Sequence, residues 1–180
     1  MKPNWFIALP VAAGGWFAPL AAAAPRDLRR FHAGDLHLTV AFLGACGEHA
    51  ARAAWALTQG MDPPDFDVTL GGLEPMGSRK KPSAIAVTLD RGRAPVAGYM
   101  TRWRGELLAA AGARPDTRPA RPHITIGRPP RKLAPEGREA ILDWARAQPP
   151  IGAAMRLGSL ALYTWSDDRA VRQFAAVEVR

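Results

Sequence analysis

The chain has 180 residues, 48% of them hydrophobic, which suits one compact domain with a sizeable core. Its 24 Lys and Arg against 16 Asp and Glu leave a net charge of +8. The excess is carried mainly by arginine, whose planar fork of donors suits phosphate, so a polyanionic partner is favoured. The single cysteine, Cys46, excludes an intramolecular disulfide and reads as a small buried hydrophobe. No uninterrupted apolar run approaches the roughly 18 residues that span a bilayer.

Lys2, the apolar stretch after it and the run 21–24 of alanines imitate a secretory leader. Pro10, Gly14, Gly15 and Pro19 interrupt what would have to be its helix, so residues 5–9 read as a buried first strand. An Ala-rich segment with Pro19 and Pro25 follows, then a basic stretch over 26–30. Residues 36–43 carry the first strong β signal, stopped by Gly44 and Gly47, and 48–59 show a helical repeat closed by Gly60. Residues 66–70 and 84–89 read as neighbouring antiparallel strands flanking a polar linker over 75–82. Met100, Trp103, Leu107 and Leu108 mark a helix over 96–111. After a Pro/Arg-rich loop over 112–122 comes a short strand over 123–126, a helix over 136–147, and two closing strands over 155–163 and 172–179. The order β-α-β-α-β-β followed by α-β-α-β-β lacks the rhythm of a doubly wound sheet and argues for an α+β fold.

One pattern occurs in both halves: His37-Leu38-Thr39-Val40 and His123-Ile124-Thr125-Ile126. On a strand, His and Thr share one face and the two apolar residues share the other. The apolar pair can anchor each strand while imidazole and hydroxyl enter one cleft. Two imidazoles suit acid/base work near neutral pH, and two hydroxyls supply donors for the charge that develops on a phosphodiester. His32 and His49 lack this setting and read as surface or cap residues. Neither motif places a further His, Asp or Glu at ligand spacing, there is no Gly-x-Ser-x-Gly, and the glycines of 72–77 lead into Ser78-Arg79 rather than Lys-Ser/Thr. Metal, serine-nucleophile and P-loop chemistry therefore rank below the two-histidine reading.

With these motifs the chain resembles the two-histidine phosphoesterase superfamily, and within it the LigT-like RNA 2′,3′-cyclic phosphodiesterases. The likeness extends over the opening strand at 5–10, segments 36–44 and 121–128, and the closing strands around Leu162-Tyr163. The resemblance implies one bilobal phosphoesterase domain over 1–180, with two pseudo-symmetric lobes, antiparallel sheets lining a central cleft and helices packed outside. It implies opening of a 2′,3′-cyclic phosphate to a 2′-phosphate, with reversible 2′-5′ ligation as a side reaction. His37 and His123 would be the catalytic pair, His123 the base toward water and His37 the acid toward the 3′ oxygen.

Five residues beyond each histidine the halves differ, with Phe42 in the first and Arg128 in the second. The resemblance assigns Arg128 to substrate phosphate and Phe42 to an aromatic surface near the nucleotide, beside Thr39 and Thr125 as substrate contacts. Gly127 stands where the family commonly has alanine. Trp165 is either a stacking platform or core. Arg79, Lys80 and Lys81 with Arg114, Arg118 and Arg121 are candidates for an RNA approach path. The expected partner is RNA or an oligonucleotide with a cyclic phosphate end. No metal, cofactor, membrane or protein partner is expected, and the chain is expected to work as a cytoplasmic monomer. The rival readings are a non-catalytic RNA-binding module and a phosphodiesterase for another small cyclic phosphoester.

Overall fold

The computed structural model describes residues 2–78 and 81–180. Alternating apolar residues build the strands, and their two faces have different fates. In β1 (Trp5–Pro10), Trp5, Ile7 and Leu9 enter the main core while Phe6 and Ala8 join a separate small cluster. In β5 (Pro82–Arg91), Ile85, Val87 and Leu89 enter the main core, and Ala84 and Ala86 form another small cluster with Met76. The main core takes residues from all four helices: α1 (Gly14–Ala23), α2 (Glu48–Leu57), α3 (Arg93–Ala110) and α4 (Pro135–Ala147). The two small clusters take none. All helices therefore cover one face of the sheet, and the other face, the inside of a curled half-barrel, is left for the site.

The remaining strands are β2 (Arg29–Arg30), β3 (His37–Gly44), β4 (Phe66–Gly77), β6 (His123–Arg128), β7 (Ala154–Leu157), β8 (Ala161–Trp165) and β9 (Phe174–Val179). The order across the sheet is β7-β4-β5-β6-β3-β1-β8-β9, with β2 pairing β6 off this path, and every pairing is antiparallel. The α+β expectation holds, with two four-stranded halves that meet where β3 and β6 touch. The succession β1-α1-β3-α2 in one half is matched by β5-α3-β6-α4 in the other, which is the pseudo-symmetry expected of the two lobes.

Gly14, Gly15 and Pro19 do not break a helix as the sequence reading expected, since α1 runs over Gly14–Ala23 with Pro19 inside it, and three other differences bear on the sheet. The closing run over 155–163 is two strands, because 158–160 carry the chain from β7, paired with β4, to β8, paired with β1. The linker over 75–82 is strand at both ends, since β4 runs on to Gly77 and β5 begins at Pro82, the last pair of their ladder. The basic stretch before His37 contains β2, whose Arg29 and Arg30 pair with Arg128 and Gly127. No described helix is long and apolar enough to cross a membrane.

Candidate active site

The two motif strands meet at one pair, Leu38 with Ile124. Both side chains are fully buried on the helix-covered face. Extending that antiparallel register by one residue each way sets His37 opposite Thr125 and Thr39 opposite His123, all on the inner face. Each histidine thus has its own motif's threonine two residues along the strand and the other motif's threonine across from it.

Both strands then break step at the same place. Along β1, Ile7 pairs with Ala41 and Ala8 with Thr39, so Val40 is the extra residue of a bulge. Along β5, Ile85 pairs with Gly127 and Ala86 with Thr125, so Ile126 is extra. In each motif the bulged residue is the fourth, and it resets the alternation. Val40, Ala41 and Leu43 all reach the main core, whereas Phe42 is 57% exposed. The bulge explains why the residue five beyond each histidine, Phe42 or Arg128, returns to the histidine's face instead of following Leu38 or Ile124 inward.

The imidazoles are held alike. His37 Nδ1 lies 2.6 Å from the Asp35 carbonyl oxygen, and His123 Nδ1 lies 2.6 Å from the Arg121 carbonyl oxygen. A carbonyl can only accept, so each Nδ1 carries the hydrogen and each neutral ring offers an Nε2 lone pair. Thr58, Thr88, Thr101 and Thr164 donate their hydroxyls to carbonyl oxygens, and among the described residues no such bond is made by Thr39 or Thr125.

Around these equivalent centres the halves diverge. His37 is buried against Phe6, Tyr163 and Phe174, with ring centroids at 4.6, 5.4 and 5.4 Å, and Phe31 stands at 6.5 Å. Desolvation lowers its pKa to about 4. The Asp35 carbonyl and carboxylate pull it up, and the charges of Arg128 and His123 push it down. His123 is half-buried, and its pKa is lowered by desolvation first, partly offset by the Arg121 carbonyl, with the charges of Arg121 and Arg128 lowering it further. Among the described residues the carboxylate that acts on a ring is Asp35, on the His37 side, where it also pairs with Arg172; Arg128 acts on both rings and Arg121 on His123.

Arg128 is partly exposed, its guanidinium 5.9 Å from the Phe31 ring centroid and 3.5 Å from the Ser83 carbonyl oxygen. Gly127 positions it through β2. A Cβ at 127 would meet Leu28 Cγ at 2.9 Å and the Arg29 carbonyl oxygen at 3.0 Å. Glycine serves close packing here rather than flexibility.

Several residues went unnoticed in the sequence. Asp35 is fully buried, and its carboxylate accepts from the backbone N–H of Gln173 at 2.7 Å and of Phe174 at 3.2 Å, with Arg172 Nε at 3.4 Å. It ties the start of β9, and so the Phe174 ring, against His37. Asp35 ends a 3-10 turn over Ala33–Asp35, ahead of β3, so strand alternation carried no signal for it. Phe6, Phe31, Tyr163 and Phe174 come from four separate segments, and no local pattern assembles them.

His32 is a cap, its Nδ1 accepting from Gly34 N–H at 3.0 Å, and His49 is exposed. Cys46 is half-buried against the core rather than fully buried. Trp165 is half-buried with the Arg169 guanidinium 4.3 Å from its ring centroid, so it is neither core nor an open platform. Of the expected approach path, Arg79 and Lys80 lie outside the described residues. Lys81, Arg114, Arg118 and Arg121 are exposed, with Arg118 paired to Asp116 and Arg121 to Glu74. Among the described residues no three His, Cys, Asp or Glu side chains gather as metal ligands would.

The family model described as the 2′-5′ RNA ligase superfamily matches residues 10–169. No functionally curated sequence matches the chain. Among solved structures, a crystal structure described as a phosphoesterase superposes with TM-score 0.75 at 20% identity, covering 100% of this chain and 98% of that one. Escherichia coli LigT in complex with 3′-AMP gives TM-score 0.74 at 22% identity, covering 99% and 98%. A Thermus thermophilus protein gives 0.70 at 21%, covering 98% and 96%. At these identities the likeness speaks for the fold.

Proposed function

The chain belongs to the 2′-5′ RNA ligase superfamily and has the LigT-like fold of two-histidine phosphoesterases, and on that premise we propose that it hydrolyses 2′,3′-cyclic phosphate ends of RNA without a metal ion. The observation that carries the reading is the matched pair of imidazoles. Each has its Nδ1 tied to a backbone carbonyl, and each has threonines of both motifs beside it on the inner face.

In this reading the cyclic phosphate lies between the motifs. The hydroxyls of Thr39 and Thr125 donate to its non-bridging oxygens and the Arg128 guanidinium offsets their charge. His123, neutral among arginines, accepts a proton from water at Nε2 as the water oxygen bonds to phosphorus. The bond from phosphorus to the 3′ oxygen breaks, and His37 delivers its Nε2 proton to that oxygen, leaving a 2′-phosphate and a free 3′-hydroxyl. The resemblance assigns the roles this way round, and the surrounding charges support it. Burial holds the free His37 neutral, so its proton arrives with the anionic phosphate, which joins the Asp35 carboxylate in favouring the imidazolium. If a 5′-hydroxyl replaces water, the same steps form a 2′-5′ linkage, and the reverse reaction uses the same groups.

Residues 1–180 act in this reading as one bilobal unit, monomeric and cytoplasmic, with RNA as partner. The test is incubation of a defined oligoribonucleotide ending in a 2′,3′-cyclic phosphate with the protein in EDTA, followed by typing of the product. A 2′-phosphate is expected. A 3′-phosphate, strict dependence on added metal, or salt-sensitive binding with no turnover would overturn it.

A further inference from the structure

The contact between β3 and β6 ends almost as soon as it begins. Past Leu38 and Ile124, β6 takes β2 as its neighbour, while the second half of β3 pairs only with β1. On the side β3 leaves open, the loop over 113–118 stands off and encloses a groove of about 500 Å³. Its walls include Phe42, Leu43 and Gly44 on the strand and Arg114, Thr117 and Arg118 on the loop. Neither histidine lines it, so it is a space beside the cleft rather than the cleft itself.

Phe42 joins the two. It pairs with Phe6 across β1 and shares its face, yet Phe6 is 2% exposed and stacked on Tyr163 while Phe42 is 57% exposed. Three residues beyond Thr39, it lies about 10 Å along the strand, next to the reacting phosphate rather than on it. The opposite wall is cationic. It carries Arg114 and Arg118 with one carboxylate, Asp116, which Arg118 engages at 2.8 and 2.9 Å and which Arg104, outside the lining, approaches at 3.7 Å. Arg118 remains 85% exposed in its side chain even so, and Asp116 does not engage Arg114. A ring open to water facing guanidinium groups across a nucleotide-sized gap matches a base to stack and a phosphodiester to neutralise.

We infer that this groove holds the nucleotide immediately 5′ of the cyclic-phosphate terminus, so that the chain prefers an oligoribonucleotide end to a free cyclic mononucleotide. The inference rests on the phosphodiesterase reading and narrows its substrate class. It also gives Phe42 a specific place: under the neighbouring base rather than against the terminal nucleoside.

The test compares kcat/KM for a 2′,3′-cyclic mononucleotide with di- and tetranucleotides bearing the same cyclic end. The expected result is a rise of at least about fivefold at the first added nucleotide, the lower end of what base stacking supplies. Phe42→Ala and Arg114→Ala should each shrink the dinucleotide-to-mononucleotide ratio, and Arg114→Ala should make the salt dependence on the dinucleotide shallower by about 0.7 in log–log slope. Arg156→Ala, on the outer strand β7, should leave the ratio as it is. Equal kcat/KM at all lengths, or a ratio untouched by both groove variants, overturns the inference and leaves the phosphodiesterase reading standing. No turnover of any cyclic end takes down both.

Discussion

The two halves of the sheet repeat the same device and surround it differently. In both, a His-x-Thr strand carries a bulge at the fourth motif position, and a carbonyl two residues upstream fixes the imidazole tautomer. Around His37 stand four aromatic rings and a buried carboxylate; around His123 stand arginines and a half-open surface. Backbone features shared by both halves position reactive nitrogens, whereas the side chains that differ decide what those nitrogens face. On this account the aromatic half favours the nucleoside and the cationic half the phosphate.

The sharpest way to break this comparison lies across one pair of strands. Phe6 and Phe42 are partners in the β1–β3 ladder, one a floor for His37 and the other open to water. Phe6→Ala should cost about 3–5 kcal/mol of stability, as large core truncations do. Phe42→Ala should stay within about 0.5 kcal/mol, as surface changes do. Denaturant midpoints check this, and equal losses would mean that Phe42 belongs to the core.

Next in size is a difference in proton linkage. The folded His37 value of about 4 lies below the ordinary 6.5, so between these pH values the unfolded chain holds a proton that the folded chain does not. Stability must therefore fall as pH drops through this window, by about 3 kcal/mol for this residue. His37→Gln should remove that part of the acid loss, and His123→Gln a smaller part of the same sign. Urea melts at pH 4.5 and pH 7 measure it, and a larger effect at His123 would reverse the assignment of the buried half.

The smallest effect belongs to the cationic half. Gly127→Ala forces β2 away from β6, since the new Cβ meets Leu28 and backbone of Arg29, and should cost about 1–3 kcal/mol. Gly98→Ala, in α3 with nothing within 4 Å, should instead stabilise by about 0.5–1 kcal/mol. If thermal melts show the two alanine variants alike, β2 is not the frame that holds Arg128.

Much of this site was legible because it is local. His37, Thr39, His123 and Thr125 sit on strands whose alternation alone puts each pair on one face, and the structure brings both pairs together about Leu38 and Ile124. The α+β element order was equally local, resting on periodicity and on glycine and proline stops. What escaped required pairing across distance. The split of the last expected strand follows from a switch between β4 and β1 as partners, which no periodicity within 155–163 can reveal. The Asp35 clamp depends on the backbone of Gln173 and Phe174, well over a hundred residues away. The bulges at Val40 and Ile126 likewise show only in the pairing of these strands with β1 and β5.

The central claim is that the two imidazoles act as one acid/base unit on a cyclic phosphate. Its most direct test is the turnover of a cyclic-phosphate-ended dinucleotide in EDTA by the wild-type chain, His37→Ala and His123→Ala. Each variant should lose about 10²–10⁴ in kcat, the span that positioned acids and bases supply, while folding normally at pH 7. A wild-type kcat in either variant would contradict the account.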